Sequence, residues 1–292
     1  MPAPIAIFAF NRPKSLTAMI DSLKKNELYD ASEKYIFIDG PRNDHDREKI
    51  KKVIQIAREV TQNIRISERN KGLGASIISG VTEVINLYGS AIVLEDDLRL
   101  MPGFLSYMNE ALEKYRDHSD IFSICGYGLK IKRPKNYVGD VYLSDRSSSW
   151  GWATWADRWN SVDWEVKDFA ELKANASARR AFNRAGSDMY GMLRDYMEGK
   201  NHSWAIRFCY SQFRQKRFSV HPFSSFVEND GFGEGATNCK QRYSRFETTP
   251  NHSLQVNLPP QLERKDDILR QLHRYHSILI RIYSKIRGIL NV

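Results

Sequence analysis

The sequence predicts an α/β protein, a mainly parallel sheet flanked by helices, with a C-terminal helical extension. Two observations predict the sheet. Short apolar runs alternate with longer segments of helical period through the first half, and those runs are compact and apolar, as strands covered on both faces should be. A third predicts the extension: from Asp266 to Val292 the apolar residues recur at helical spacing.

In chain order the strands are Ile5 to Phe10, Tyr35 to Ile38, Ile64 to Ser67, Ala91 to Leu94 and Ile121 to Cys125. Between the first two, Pro13 opens a helix at a favoured early position, and Leu16, Met19, Ile20 and Leu23 form its apolar stripe. Asp44 to Val60, Ala75 to Leu87 and Pro102 to Tyr115 supply the next three helices. Beyond Gly126 the alternation fades into a segment rich in aromatics, Ser and Gly that carries Trp150, Trp152, Trp155, Trp159 and Trp164. Ala176 to Gly199 and Ser203 to Gln215 read as helices, and Asn229 to Asn238, with three glycines, as a mobile loop.

The chain of 292 residues is long enough for two domains or one elaborated α/β domain. Its three cysteines, Cys125, Cys209 and Cys239, are odd in number and far apart, which suggests neither a disulfide framework nor a Cys-based zinc site and points to a reducing compartment. The N-terminus reads as a first strand rather than a signal peptide, and no apolar run reaches the roughly 20 residues needed to cross a bilayer. With 44 Lys and Arg against 35 Asp and Glu, the net charge of +9 admits nucleic acid, an anionic membrane or a phosphorylated small molecule as partners. No zinc-finger or RRM signature accompanies it, so nucleic acid is not expected.

Ligands of open α/β sheets bind beyond the carboxyl ends of the strands. The first junction, Asn11-Arg12-Pro13, lacks glycine, which argues against a GxGxxG dinucleotide loop, and no GxxxxGKS phosphate loop occurs. Arg12 is either a surface residue or a forked donor to a phosphate. At the second, Asp39 either accepts from a base or ribose hydroxyl or belongs to a plain Asp-Gly-Pro turn. The third, Arg69 to Gly74, offers glycines for close approach and a helix start for an anion. Sharpest is the fourth, where Ala91 to Leu94 runs into Glu95, Asp96 and Asp97. Three adjacent carboxylates at the end of a buried strand repel one another unless a cation compensates, and hard oxygens suit Mg2+ or Mn2+.

The blocks FAFNRP, FIDGP, RNKGLGAS and IVLEDDL, in this order and spacing, resemble the donor half of GT-A glycosyltransferases, family 2-like bacterial sugar transferases and the N-acetylglucosaminyltransferase I group in particular. SSSWGWATWADRW and NHSWAIRF extend the similarity to about residue 240. The resemblance implies a GT-A (Rossmann-like) fold, with residues 1–126 as the donor-binding half, 127–262 as the acceptor-binding and catalytic half, and 263–292 as a basic amphipathic helix. It implies Asp97 as ligand of Mn2+ or Mg2+, Asp96 on donor hydroxyls oriented by Glu95, Arg12 on the diphosphate and Asp39 on the base. Phe8, Asn70, Gly72 and Leu73 would complete the donor site. The catalytic base of the N-acetylglucosaminyltransferase I group is an aspartate two residues before a Trp. Here that position is His202, a departure, with Glu228 and Asp230 as rivals. Trp150 and Trp152 are either an acceptor platform or core.

The expected activity is inverting transfer from a nucleotide-diphosphate sugar, a UDP-sugar, to a glycan or lipid-linked acceptor in surface polysaccharide or glycoconjugate assembly. A sugar nucleotidyltransferase or a non-catalytic, membrane-associated nucleotide-sugar binding protein are the alternatives. In the last segment Ile268, Leu272, Tyr275, Leu279, Ile282, Ile286 and Leu290 share one stripe and Arg270, Arg274, Arg281 and Lys285 another, with no Asp or Glu after Asp267. Such a helix lies at an anionic bilayer or docks on protein. A cytoplasmic protein, peripheral at the inner face of the plasma membrane, is the corresponding location.

Overall fold

The computed structural model describes residues 1–229 and 248–290. Its first half follows the expected order with one strand, β5, that was not expected: β1 (Ile5–Ala9), α1 (Pro13–Leu23), β2 (Lys34–Ile38), α2 (Asp44–Arg58), β3 (Ile64–Ile66), α3 (Leu73–Tyr88), β4 (Ser90–Glu95), β5 (Leu98–Leu100), α4 (Phe104–Lys114) and β6 (Ile121–Cys125). The remainder contains β7 (Val141–Ser144), β8 (Trp152–Trp155), α5 (Ala156–Asn160), α6 (Phe169–Ala174), α7 (Ala176–Phe182), α8 (Met189–Met197), α9 (Trp204–Arg214), β9 (Phe218–Pro222), β10 (Val227–Asn229), α10 (Asp266–Tyr275) and α11 (Ile278–Leu290).

One sheet in the order β3-β2-β1-β4-β8-β6-β9-β7 organises the molecule, and β10 pairs with β5 in a small ribbon beside it. From β3 to β4 every pairing is parallel. Beyond β4 the sheet is mixed: β8 runs antiparallel to both β4 and β6, and β7 antiparallel to β9, while β6 and β9 are parallel. The antiparallel strands are absent from the sequence expectation. β8, Trp-Ala-Thr-Trp, is buried at every residue and so lacks the alternation that marks a half-buried strand.

Both faces of the sheet are covered. On one, α1, α2 and α4 bury Leu16, Met19, Ile20, Val53, Phe104 and Met108 against Ile7, Ile36 and Leu94. On the other, α3, α5 and α9 bury Ile77, Val81, Trp159, Trp204 and Phe208 against Phe8, Phe37, Val93 and Trp152. Trp152 is 1% exposed. Its ring stacks on Trp204 at 5.0 Å between centroids and leans on Trp159 and Phe208 at 5.8 and 5.3 Å. It therefore belongs to the core and not to an acceptor platform. Trp155 is buried too, with its Nε1 donating to the Leu112 carbonyl at 3.1 Å.

The segment from Ala176 to Gly199 is not one helix but α7, a short 3-10 turn at Asn183–Ala185, and α8. The terminal segment likewise breaks at His276-Ser277. α10 docks through buried Ile268 and Leu272, whereas α11 leaves Ile278, Leu279, Ile282, Tyr283 and Ile286 at least half exposed. Among the described residues no helix is long and apolar enough to cross a membrane. The expected loop at Asn229 to Asn238 begins on the last residue of β10 and otherwise lies outside the described residues, as does Cys239.

Removing a large buried ring leaves a cavity its neighbours fill only partly, at a cost of about 3–5 kcal/mol. Trp152→Ala is expected to lower the thermal unfolding midpoint by roughly 6–15 °C. Trp150→Ala, at a partly open position, should shift it by no more than a few degrees.

Candidate functional site

The carboxyl ends of β1, β2 and β4 and the N-terminus of α3 enclose a cavity of about 360 Å3. Phe8, Arg12, Asp39, Asn70, Gly72, Leu73, Glu95, Asp96 and Asp97 all line it. The sheet order explains the convergence. β1 lies between β2 and β4, with Phe8 opposite both Phe37 and Glu95, so the residues after each strand emerge side by side. Phe8 and Phe37 stack at 5.0 Å.

Three features of this cavity were not legible in the sequence. Arg42 lines it, held by Asp46 at 3.1 Å with its guanidinium 4.6 Å from the centre of the Phe10 ring. Ser76, on the first turns of α3, also lines it, and its hydroxyl is buried without a hydrogen-bond partner. Asn11 bonds Asp46 and so ties the β1–α1 junction to α2. Arg42 sits four residues before its partner in a stretch dense with charge, and Ser76 sits inside a helix, where a hydroxyl usually bonds back to the preceding turn.

The acidic cluster is only partly neutralised. Arg12 bridges Asp96 and Asp97, the latter at 2.9 Å, so the structure places its guanidinium on the carboxylates rather than free for a phosphate. Burial would lower the Arg12 pKa, but Asp96 and Asp97 outweigh it and hold the pKa above its usual range. Asp96 accepts from the Phe10 amide at 3.3 Å. Burial pushes its carboxyl up, Arg12 pulls it down and Asp97 pushes it up again, ending at about 6. Glu95 is raised further, to about 8, by burial and then by Asp97 and Asp96. Asp97 Oδ1 is buried and has no hydrogen-bond partner. An orphaned carboxylate oxygen beside two proton-hungry neighbours fits a divalent cation, which would supply the missing positive charge. Among the described residues no group of three or more potential ligand side chains is assembled.

Asp39 is buried and engaged by backbone. Its Oδ1 accepts from the amides of Gly40 at 2.9 Å and Lys71 at 2.8 Å, and its Oδ2 from Gly72 at 2.9 Å. Asn70 donates to the Gly40 carbonyl at 2.9 Å. A carboxylate has about four acceptor positions, so Asp39 spends most of its capacity fixing the loop that opens α3. Gly72 takes φ +78° there, a conformation closed to most side chains.

A second cavity, of about 310 Å3, lies under the antiparallel half. Tyr127, the serines 147–149 and Trp150 form one wall, and Met189, Met192 and Ile206 another. Trp150 meets Tyr127 edge-on at 4.7 Å. Arg146 closes one side through a forked pair to Asp188 at 2.9 and 3.3 Å. Burial raises the Asp188 pKa, and Arg146 more than reverses this.

The residues proposed as base are spread out. The His202 side chain is exposed and lines neither cavity. Its backbone, however, packs so tightly on Gly74 that a Cβ there would strike the His202 carbonyl. Gly72 and Leu73, beside Gly74, line the first cavity, and Ser203, beside His202, lines the second. Glu228 pairs across the ribbon with Arg99, two residues after Asp97, and does not line the first cavity. Asp230 lies outside the described residues.

A half-parallel sheet with a cavity at its strand ends and an acidic cluster at the end of the central strand is a fold of the GT-A type. The sequence profile described as Glycosyl transferase family 2 matches residues 5–185, well over half of the chain, and the protein belongs to that family. The match does not address the N-acetylglucosaminyltransferase I group. No curated protein sequence matches. Among solved structures, TarS residues 1–349 from S. aureus aligns at 12% identity and TM-score 0.43, covering 78% of this chain and 60% of that one. A longer TarS structure aligns at 12% and 0.45, covering 78% and 36%. The mannosyltransferase PcManGT from Pyrobaculum calidifontis, in complex with GDP-Man and Mn2+, aligns at 9% and 0.34, covering 54% and 47%. The chain thus spans less than two thirds of the solved structures it matches.

The raised carboxyls set the pH behaviour. An unfolded glutamate ionises near 4.5 and folded Glu95 near 8, so between these values the native state holds the extra proton and stability falls as pH rises. Without metal, Glu95→Gln is expected to raise the unfolding midpoint at pH 8 by several degrees and to leave it unchanged at pH 4. Calorimetry at the two pH values checks this.

Proposed function

We propose that the first cavity binds a nucleotide-diphosphate sugar, a UDP-sugar, and that the second receives the hydroxyl-bearing acceptor, a glycan or lipid-linked sugar. The observation that carries this reading is the buried, partnerless Asp97 oxygen at the tip of β4, in a cavity that also presents Arg42 and the α3 N-terminus to anions. A sugar nucleotidyltransferase would be expected to carry a glycine-rich, arginine-containing loop after β1, where this chain has Asn11-Arg12-Pro13. Family membership and the assembled cavity weigh against a non-catalytic binding protein.

Asp97 would hold Mn2+ or Mg2+, with Asp96 as neighbour. When bound, the ion supplies positive charge to the diphosphate as the anomeric C–O bond breaks. Arg12 and Arg42 would share the diphosphate charge, Arg12 turning from the carboxylates as the cation takes its place. The stacked Phe8 and Phe37, with the Asp39-braced loop, shape the nucleoside end, and Asp39 retains one acceptor position for the base. Asp96 and Glu95 orient sugar hydroxyls. Attack by the acceptor from the face opposite the leaving diphosphate gives inversion. Its proton passes to His202, or to Glu228 on β10, with Asp230 the remaining rival from the sequence. Trp150 flanks the acceptor.

α11 is proposed to hold the protein at an anionic membrane surface, where a lipid-linked acceptor resides. Its exposed Ile278, Leu279, Ile282, Tyr283 and Ile286 form one face, and the segment after Asp267 carries five Lys and Arg and no acid. Apolar area and cationic charge act together in interfacial binding, at about 1 kcal/mol per basic residue near the surface.

Two measurements test these assignments. UDP with Mn2+ should raise the unfolding midpoint of the parent protein, and Asp97→Ala should abolish the metal-dependent part and cut transfer or hydrolysis of the sugar nucleotide by at least about a hundredfold. Absence of any nucleotide binding, with or without metal, would defeat the donor assignment. Deleting residues 278–292 should abolish co-sedimentation with phosphatidylserine vesicles while sparing UDP binding, and high salt should weaken the parent's association. Unchanged partitioning would mean that α11 serves a protein contact instead.

A further inference from the structure

A third cavity, of about 360 Å3, lies against α10 and belongs to neither site described above. Three separate stretches of chain build it. Asp266, Arg270 and His273 fall at i, i+4 and i+7, one face of α10. Ser144 and Asp145 come from the end of β7, and Arg184 from the 3-10 turn before α8. Arg264, in the segment that leads into α10, adds another guanidinium. In the sequence Arg270 belongs to a basic stripe with Arg274 and Arg281. The fold instead turns it into a cavity with two arginines from elsewhere in the chain.

The cavity holds more N–H donors than its own acids can use. A guanidinium carries five N–H groups. Arg264 spends only Nη2 on Asp145, at 3.0 and 2.8 Å, in an exposed pair of the kind that contributes little and exchanges readily. The Phe218 ring, 4.7 Å from its guanidinium carbon, holds the group in place. Arg270 pairs through Nη2 with Asp267, which does not line the cavity. Among the described residues Arg184 and His273 have no hydrogen-bond or ion-pair partner. Two lining carboxylates, Asp145 and Asp266, therefore face three guanidinium groups and the imidazoles of His273 and His276. Arginines arriving from three directions suit a tetrahedral anion with several oxygens, where a carboxylate ligand would offer a single planar edge.

This basic cavity adjoins the second one. Ser144 and His276 line both, and they are 3% and 6% exposed. His276 is fixed by its main chain, its carbonyl accepting from the Ser187 amide at 3.2 Å and the Ser187 hydroxyl at 3.0 Å. The sugar-sized space of the second cavity and the arginines of the third are thus separated by single residues. We propose that the third cavity is a phosphate subsite, formed by Arg184, Arg264, Arg270 and His273, and that the acceptor is a sugar phosphate ester whose phosphate it holds. The acceptor role rests on the acceptor reading of the second cavity. The anion site does not.

The anion site is tested by titrating the full chain, at fixed pH and without metal, with inorganic pyrophosphate while following the histidine ring resonances by NMR. The His273 signal, identified by its absence from His273→Gln, should move, and Arg184→Gln should demand at least about tenfold more pyrophosphate for the same shift, the loss of one charge-assisted contact. No movement at millimolar pyrophosphate, or movement indifferent to Arg184→Gln, overturns the site. Because this signal comes from the third cavity itself, pyrophosphate in the donor cavity does not imitate it. The source of the phosphate is tested in two ways. Given alkyl glycosides and the matching alkyl glycosyl phosphates as acceptors, the parent should prefer the phosphate member of a pair by about tenfold or more in kcat/KM, and the Arg184→Gln/His273→Gln double variant should lose that preference through KM. Equal use of the two, or transfer to neither by a parent that binds UDP, overturns the acceptor role; failure of the parent to bind UDP counts against the donor reading alone. On phosphatidylserine vesicles the double variant should co-sediment as the parent does. A fall to the level of the chain lacking residues 278–292 would assign the cavity to bilayer headgroups and overturn the acceptor source.

Discussion

The structure depends on an unbalanced charge at the end of β4. Three consecutive carboxylates leave the most central parallel strand, and the side-by-side placement of β1 and β4 brings Arg12 to two of them. One guanidinium cannot neutralise three carboxylates in a buried setting, so the cluster keeps a proton instead. That is the physical meaning of Glu95 titrating near 8 and Asp96 near 6. A site that must hold a proton to be stable is a site short of positive charge. The strands supply the rigidity that makes this arrangement possible, because a flexible loop would relax by moving the acids apart.

The parallel half was open to sequence reading because its strands are continuous apolar runs ended by glycine, proline or acid, and its helices carry one-sided stripes. Boundaries agree within one or two residues in β1 to β4 and in α1 to α4. The acidic cluster was legible for the same reason: carboxylates directly after a buried strand are costly anywhere else. What lay beyond Gly126 was less so. β9 reads Phe-Ser-Val-His-Pro, and its Ser219 and His221 are buried with hydrogen bonds supplied by residues distant in sequence. No local pattern marks such a strand. The same limit applies to Asp39, whose partners Lys71 and Gly72 lie more than thirty residues on, and to Trp152, whose place in the core follows from Trp159, Trp204 and Phe208 rather than from its own neighbours.

The two halves solve different problems. The parallel half directs helix N-termini and arginines toward one edge, an arrangement suited to an anion. In the antiparallel half the sheet buries hydroxyl, amide and thiol groups: Ser123 meets Ser219 at 2.8 Å, Ser219 donates to Gln212 at 2.7 Å, and Gln212 donates to the Ser144 carbonyl at 3.1 Å. A satisfied polar network of this kind fixes one arrangement of the strands more sharply than apolar packing does. It also fixes the serine-rich turn above it, which forms a wall of the second cavity.

Between the halves stands the start of α9, and its construction bears on where a proton acceptor would sit. Trp204 anchors the helix in the aromatic core, and Ser203 caps it by accepting from the Ile206 amide at 3.3 Å. Arg207 reaches back to the Ser203 carbonyl at 3.3 Å and on to the Trp164 carbonyl at 3.0 Å. The His202 backbone is therefore held from both sides, on Gly74 by contact and through Ser203 by the cap. A side chain carried on so rigid a mount moves only through its own torsions, a reach of a few ångströms. Glu228, on a three-residue strand paired solely with β5 among the described residues, has a softer support. Rigid placement favours proton transfer in a fixed geometry, which is the ground for proposing His202 ahead of Glu228.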